Sequence, residues 1–166
     1  MSTIPQNVQD AINEQIRNEL FSAYLYLSMS AHFEGESLPG FARWMRVQAR
    51  EEVSHGMKLF DYLADRGGRI VLGALEAPPT TFDSQLAIFR QSYAHEQKVT
   101  AMIHALYALA AGEKDYATQL ALNWFVTEQV EEEKTASDIA ARLEMVGDNR
   151  VALLMLDREL GARGGD

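Results

Sequence analysis

The 166-residue sequence contains no cysteine, only four prolines and hardly any strand-like alternation of polar and apolar residues. The absence of cysteine excludes disulfide bonds and thiolate metal ligands, and it fits a reducing cytoplasm. The few prolines and the lack of low-complexity tracts argue against disorder. Because 47% of the residues are hydrophobic, the chain is long enough to bury a core. We therefore expect one folded domain over residues 1–166, located in the cytoplasm.

Basic residues and long apolar segments are also scarce. The 24 acidic residues outnumber the 15 basic ones and give a formal charge of −9. Such a surface disfavours nucleic acid and favours cations as partners, although acidity also keeps an ordinary cytosolic protein in solution. The N-terminal segment MSTIPQNVQD lacks the apolar region of a signal peptide, and the apolar run at 151–156 is too short to cross a bilayer. We expect no membrane partner.

Helical periodicity runs through nearly the whole sequence, and proline near helix starts and glycine after helix ends mark the boundaries. The pattern predicts an all-α protein with helices at about 6–34, 39–66, 83–111, 115–146 and 149–160. Short links predict antiparallel packing of the first helix on the second and of the third on the fourth. The link at 68–82 can reach nearly 50 Å, whereas a helix of about 28 residues is ~42 Å long. We therefore expect a four-helix bundle with one long crossover and a short fifth helix.

Each of the four long helices carries a core-facing stripe of residues spaced alternately by three and four. The stripes are apolar toward the helix ends and polar near the middle. Because a mid-helix group stays at mid-height whichever way its helix runs, the polar members should meet in one central layer. These members are Glu19, Glu52, His55, Glu96, Gln129 and Glu132.

Four carboxylates in one buried layer need a counter-charge, yet no stripe contains lysine or arginine. Unpaired buried charges cost roughly several kcal/mol each, or the carboxyl groups become protonated. Divalent cations remove this cost, and carboxylates with imidazole are suitable ligands for iron, manganese or zinc. Glu52 and His55 lie three residues apart on one helix face, so one helix could provide two ligands.

Each central residue taken alone has a simpler interpretation. A single buried glutamate can be protonated and hydrogen-bonded, and a histidine on an apolar face is usually a core residue, as we expect for His32, His95 and His104. Aromatic residues at core spacing, such as Tyr26 and Trp124, are also usually core residues. Four central acids on four separate stripes are much harder to explain without a metal ion.

A second group of acidic residues lies beside the central layer. Glu128 and Glu131 are three apart and share a side of their helix with Glu132, displaced from Gln129 by the ~100° of a helical step. Glu51 is displaced similarly from the central layer. The group could bind a further cation at the edge of the bundle, but spacing alone favours a solvated acidic face.

The whole set of motifs resembles bacterial non-haem ferritins along nearly the entire chain. The motifs are Glu19 with Tyr26, REEVSHGMKLFDYLADRGG at 50–68, YAHEQ around Glu96, and NWFVTEQVEEEK at 123–134. The resemblance implies a ferritin-like domain that stores iron, oxidises Fe(II) with dioxygen or hydrogen peroxide, and deposits ferric mineral inside a cage of 24 subunits. The segment NRVALLMLDREL at 149–160 would line the four-fold channels of that cage.

The resemblance also implies roles for individual residues. Ligands of the first iron would be Glu19, Glu52 and His55, with Gln129 nearby. Ligands of the second iron would be Glu52 as a bridge, Glu96 and Glu132. A third iron would be bound by Glu51, Glu128 and Glu131, with Glu132 shared. Tyr26 would lie close to the di-iron centre and take part in electron transfer.

Two departures from related families carry information. Bacterioferritins and many di-iron oxidases provide Glu-x-x-His from each of two helices, whereas here the fourth helix has Glu128 and Glu131 at that spacing and no histidine. We infer a site through which iron passes rather than one that retains it. Bacterioferritins also place a haem-ligating methionine after the bridging glutamate. Val53 occupies that position here, so no haem is expected.

Three competing functions belong to other classes. The first is an iron-binding subunit with an inactive site, like light-chain-type ferritin subunits, and the complete ligand set disfavours it. Aerobic oxidation of ferrous iron by the purified protein would distinguish such a subunit from a ferroxidase. A peroxide-detoxifying or substrate-oxidising di-iron enzyme would need retained iron or a pocket for an organic substrate. A DNA-protecting mini-ferritin fits poorly with the fifth helix, the ligands inside the bundle and the absence of a basic tail.

Overall fold

The computed structural model describes residues 4–164, which form five α-helices and no strand. The helices are α1 (Gln6–Gly35), α2 (Pro39–Asp65), α3 (Gln85–Gly112), α4 (Tyr116–Val146) and α5 (Arg150–Leu160). Every helix end lies within two residues of its expected position. The all-α bundle with a short fifth helix is therefore confirmed. Residues 1–3 and 165–166 of the predicted domain lie outside the described residues.

The link between α2 and α3 runs alongside α1. Near its beginning, the backbone of Arg69 accepts a hydrogen bond from Asn13 and that of Val71 donates one to Asn13, both over 2.9 Å. Near its end, the carbonyl oxygen of Pro79 accepts a hydrogen bond from Ser28. The link thus advances from the beginning toward the end of α1, which is the path of the long crossover and makes α2 and α3 parallel.

Three of the helices are capped at their N-termini by the side chain of the residue just before the helix. Ser84, Asp115 and Asn149 each accept a hydrogen bond from a backbone amide three residues ahead, at 3.0, 3.3 and 3.0 Å. These are the N-caps of α3, α4 and α5, and such caps stabilise a helix by about 1 kcal/mol. Gly147 ends α4 at a φ of +52°, a conformation that favours glycine.

Two apolar clusters fill the two halves of the bundle, and the polar layer lies between them along each of the four long helices. One cluster contains Phe33 and Phe41, whose rings stack with centroids 5.1 Å apart. The other contains Ile12, Leu63 and Ile103. The central layer is therefore held by packed apolar residues on both sides, which keeps the helices rigid where the polar side chains meet.

Helix α5 packs against the beginning of α2. Oδ1 of Asp157 accepts a hydrogen bond of 2.8 Å from the backbone amide of Phe41. The two backbones approach closely at Gly40, where a Cβ atom would lie only 1.7 Å from the carbonyl oxygen of Asp157. This contact brings the chain that follows α5 onto the face of α2. Within residues 4–164, none of the helices combines the length and apolar character needed to span a bilayer.

Candidate metal centre

The six residues of the predicted central layer come together, and all six are buried. Helix α1 provides one of them, α2 two, α3 one and α4 two. Even the most exposed, Glu132, shows only 7% of its surface to solvent. They are Glu19, Glu52, His55, Glu96, Gln129 and Glu132.

Among the described residues, three groups of three have the geometry to bind a metal ion, and two of them lie wholly within this layer. Glu19, Glu52 and His55 form one, and within it the ligand atoms lie within 4.8 Å of one another. Glu52, Glu96 and Glu132 meet the same criterion and form the other. Because both groups use Glu52, one carboxylate can serve two neighbouring cations. Nδ1 of His55 lies 3.4 Å from Glu52 Oε2, so the imidazole faces the carboxylates.

The chemistry of these groups fits a cation. Oε2 of Glu19 is buried and has no hydrogen-bond partner among the described residues. A buried carboxylate oxygen without a donor is unfavourable and calls for an explanation. A divalent cation between Glu19, Glu52 and His55 provides one, since oxygen and imidazole ligands suit iron, manganese and zinc.

Burial and mutual repulsion control the protonation of the carboxyl groups. Burial raises the pKa of Glu19 and of Glu52 well above the ordinary value, and neighbouring glutamates raise both further. Burial also raises the pKa of Glu96, and it raises that of Glu132 to about 7. Without a metal ion these groups bind protons more tightly than ordinary carboxyl groups do, and a bound cation must displace those protons.

Three glutamines direct amide donors at the carboxylates. Gln15 donates to Glu19 over 2.8 Å. Gln48 donates to Glu52 over 2.9 Å and to Glu132 over 2.8 Å. Gln129 lies 3.2 Å from Oε2 of Glu96. Neither Gln15 nor Gln48 is among the site residues predicted from the sequence, although each lies on a core-facing stripe four residues before a glutamate, and this spacing was the signal.

Tyr26 lies inside the centre rather than only near it. Its phenol donates a hydrogen bond to Oε1 of Glu96, and only 1% of the residue is exposed. Burial raises the pKa of the phenol well above the ordinary value, and the charge of Glu96 raises it further. Tyr26 is therefore a neutral donor to one of the candidate ligands.

The edge acids are less well assembled than the central ones. Glu128 is half-buried and forms a possible ligand group with His55 and Glu132. Within residues 4–164, no such group includes Glu51 or Glu131. Glu51 instead forms an ion pair with Arg163, a residue to which the sequence analysis assigned no role. The third-site role of the edge acids stays a prediction.

The expectation of core positions fails for two aromatic residues. His104 is exposed because it follows Ile103, whose side chain occupies the inward face of α3. Trp124 is 39% exposed and packs on His55 with ring centroids 5.2 Å apart, so it covers the centre from outside. His95 is half-buried, 2.7 Å from Ser22 Oγ, and burial lowers its pKa to about 4.

His32, also expected in the core, is half-buried and packs edge-on against Phe82. Neither His32 nor His95 belongs to a candidate metal-binding group among the described residues. The histidine of the centre is therefore His55, as the spacing on α2 predicts.

The fold and the site together define a helical bundle with a buried cluster of carboxylates and one histidine that could bind metal ions. A family model described as a ferritin-like domain matches residues 9–146. The chain belongs to the ferritin family, and the resemblance to bacterial non-haem ferritins is confirmed.

Similar proteins cover nearly the whole chain. A bacterial non-heme ferritin of Bacteroides fragilis (strain 638R) is 42% identical over 160 residues, which are 96% of this chain and 99% of the relative. One of Staphylococcus aureus (strain USA300) is 41% identical and covers 96% of both chains. The solved structure of an open-pore ferritin from Archaeoglobus fulgidus is 49% identical, with a TM-score of 0.97 over 98% of this chain and all of the other.

Proposed function

We propose that this chain stores iron and is a ferroxidase, which oxidises Fe(II) with dioxygen or hydrogen peroxide and deposits ferric mineral inside a cage. One observation carries the proposal: two buried groups of candidate ligands share Glu52. Two cations bound there would be neighbours. Membership in the ferritin family supports iron as the cation.

The ligands follow from the two groups. The first iron is bound by Glu19, Glu52 and His55, and the second by Glu52, Glu96 and Glu132. Gln129 orients Glu96 through its amide. The first iron has one nitrogen ligand, whereas all three ligands of the second are carboxylates. We therefore expect the second iron to be bound less tightly than the first. Weak binding is consistent with iron being a substrate that passes through the site.

The paired arrangement suits the oxidation chemistry. Each Fe(II) gives up one electron, and dioxygen takes both electrons with two protons to become hydrogen peroxide. Two neighbouring ferrous ions supply the pair of electrons in one place. Carboxylates stabilise the ferric product more than the ferrous substrate, because the metal charge rises from +2 to +3. The ferric ions then leave for the cavity and hydrolyse to mineral.

Tyr26 has a separate role in this proposal. Its phenol contacts Glu96, a ligand of the second iron, so an electron from the ring has only a short distance to travel. The same hydrogen bond gives the phenolic proton an acceptor when the ring is oxidised. In the electron-transfer role that the resemblance implies, Tyr26 gives an additional electron to the oxidant, dioxygen or hydrogen peroxide, and its phenolic proton passes to Glu96.

Further parts of the proposal rest on family membership. A third iron is bound by Glu51, Glu128 and Glu131, with Glu132 shared. Twenty-four copies of the chain, each a single domain over residues 1–166, assemble into the cage, and α5 lines its four-fold channels. The protein acts in the cytoplasm and binds no haem, since Val53 follows the bridging glutamate.

Stopped-flow oxidation of Fe(II) in air tests the central assignment. The variant Glu52→Ala removes the shared ligand, and Glu52→Gln removes its charge with the shape retained. Both should slow the initial oxidation at least ~100-fold, more than loss of an outer-shell partner does. Glu144→Ala, an exposed change on α4, is the matched control and should oxidise iron like the parent. Oxidation at the parent rate in Glu52→Ala would refute the assignment.

Crystals soaked with ferrous iron under exclusion of air provide a direct view. Anomalous scattering at the iron edge should reveal two peaks beside Glu52. A peak beside Glu51 would support the third site. Absence of both central peaks would contradict the proposed ligand sets whatever the oxidation rate.

A further inference from the structure

Arg163 follows α5 and lies against the same face of α2 that carries the metal centre. Its Nη1 donates a hydrogen bond of 2.9 Å to Oε1 of Gln48, and its Nη2 donates to Oε2 of Glu51. The guanidinium also lies over the ring of Trp44, with Cζ 4.5 Å from the centroid. Three contacts thus hold a group whose side chain is 22% exposed.

The fold brings Arg163 to this place through the packing of α5 on α2. Leu156 and Leu160 are buried in the apolar cluster, and Asp157 bonds the backbone at the start of α2. Gly40 permits the close approach of the two backbones. Because α5 is anchored within a few residues of Arg163, the contacts of the guanidinium follow from the tertiary structure.

Gln48 connects Arg163 with the interior of the centre. Its amide oxygen accepts from the guanidinium, so its amide nitrogen faces Glu52 and Glu132. A reversed amide would place its oxygen against the carboxylates of Glu52 and Glu132. Its nitrogen would then face the guanidinium of Arg163, which has no hydrogen-bond acceptor. The arginine and the carboxylates therefore favour the same orientation of the Gln48 amide. Either partner alone is sufficient to maintain that orientation, so it should remain when Arg163 is replaced.

We propose that Arg163 is a built-in competitor for the edge cation site and occupies Glu51 until a metal ion displaces it. This inference rests on the proposed function, which assigns Glu51 to the third iron. A carboxylate oxygen bonded to a guanidinium is not available to a cation, and two positive charges a few ångströms apart repel each other. The edge site should therefore fill last.

The position of Arg163 in the chain makes displacement easy. It lies after the last residue of α5, so its side chain can leave Glu51 while every helix stays in place. The two central groups contact no arginine among the described residues, and their affinity should be independent of Arg163. The arrangement thus separates a central pair that binds first from an edge site held back by an internal cation.

Calorimetric titration of the metal-free protein with zinc alone tests the inference without iron oxidation. Arg163→Ala should raise the affinity of the edge class about tenfold, the effect of one lost charge-assisted hydrogen bond. The affinity of the central class should stay within about threefold. Arg158→Ala removes an exposed arginine of α5 and should change neither class. Glu51→Gln identifies the edge class by removing it.

Every outcome of the titration decides the question. Equal edge affinity in Arg163→Ala and the parent overturns the inference, and so does the absence of an edge class in both. Loss of affinity at both classes also overturns it, because Arg163 would then support the scaffold instead of competing. Zinc binding that Glu52→Gln leaves unchanged contradicts the central site of the proposed function, a result distinct from all of these.

Discussion

The side-chain amide of Gln48 donates a hydrogen bond of 2.9 Å to Glu52, one helical turn further along α2. The same nitrogen lies 2.8 Å from the carboxylate of Glu132 on α4, and Gln48 itself is fully buried. One glutamine therefore holds two carboxylates that candidate ligand groups share. Such supporting hydrogen bonds orient metal ligands and affect affinity without touching the metal.

Replacing Gln48 should weaken the centre although no ligand is lost. In Gln48→Leu the carboxylates of Glu52 and Glu132 lose their common donor and are free to rotate. We expect zinc affinity at the central class to fall about 10–100-fold. Calorimetric titration measures this change. Gln97→Leu, an exposed substitution next to Glu96, is the control and should retain the parent affinity; equal loss in both variants would contradict the prediction.

Tyr26→Phe should separate iron oxidation from oxidation of the protein. The substitution keeps the buried ring and removes only the hydroxyl group that donates to Glu96. Because no metal ligand changes and the amide of Gln129 still supports Glu96, the initial oxidation of Fe(II) should stay within about threefold of the parent. Freeze-quenched samples examined by electron paramagnetic resonance should show a tyrosyl radical in the parent and none in Tyr26→Phe.

The matched control for the radical is Tyr24→Phe. Tyr24 lies on the same helix but is 47% exposed, so its removal should leave the signal intact. A radical that persists in Tyr26→Phe, or that disappears only in Tyr24→Phe, would assign it to another tyrosine.

The metal-free protein should lose stability as the pH rises from about 5 to 8. Burial raises the pKa of Glu132 from 4.5 to about 7, so the folded chain binds this proton more tightly than the unfolded chain. Stability falls with pH wherever the folded state holds more protons. For Glu132 alone the loss is on the order of 3 kcal/mol across this window. Thermal unfolding followed by circular dichroism, with chelator present, measures the trend.

Stabilisation of the protein by zinc should increase with pH. Metal binding requires deprotonated carboxylates, so the affinity and the stabilisation by zinc grow as the pH approaches and passes 7. The gap in melting temperature between zinc-loaded and metal-free protein should therefore widen from pH 5 to pH 8. A metal-free protein that becomes more stable over the same range would show that the central carboxyl groups are charged without metal.

Asp157→Ala should loosen the attachment of α5 to α2. Leu38 at the N-cap of α2 provides no side-chain cap, and Asp157 of α5 fulfils this role by accepting from the amide of Phe41. Loss of a cap costs about 0.5–2 kcal/mol, and unfolding in urea should reveal a change of that size. Asp148→Ala, an exposed change before α5, should leave the midpoint unaltered. Equal midpoints for Asp157→Ala and the parent would contradict this role.

The sequence allowed much of the central site to be predicted because a helix converts spacing into direction. Glu19, Glu52, Glu96 and Glu132 lie near the middle of their stripes, and the structure places them in one buried layer. When four helices pack as a bundle, residues at the middle of each core-facing stripe have few other positions available. The ligand roles themselves stay predictions.

Contacts between segments distant in the sequence were not predicted. Nothing in the local pattern around Arg163 indicates that its side chain reaches Glu51, 112 residues earlier in the chain. Spacing also placed His104 and Trp124 inward, although both are exposed. A one-residue rotation of about 100° moves a side chain from the core to the surface, so broad helical patterns cannot resolve residues at the border of a stripe.

The amino-acid sequence by itself determined the five helices, the crossover and the set of buried acids, because each depends on periodicity, capping and chain length, which are local properties. Only the tertiary structure decided how these acids are held. The amide of Gln48 reaches Glu132, the phenol of Tyr26 reaches Glu96 and the guanidinium of Arg163 reaches Glu51 through distances and side-chain orientations between separate segments. Those quantities arise from the packing of helices against one another, and no single segment contains them.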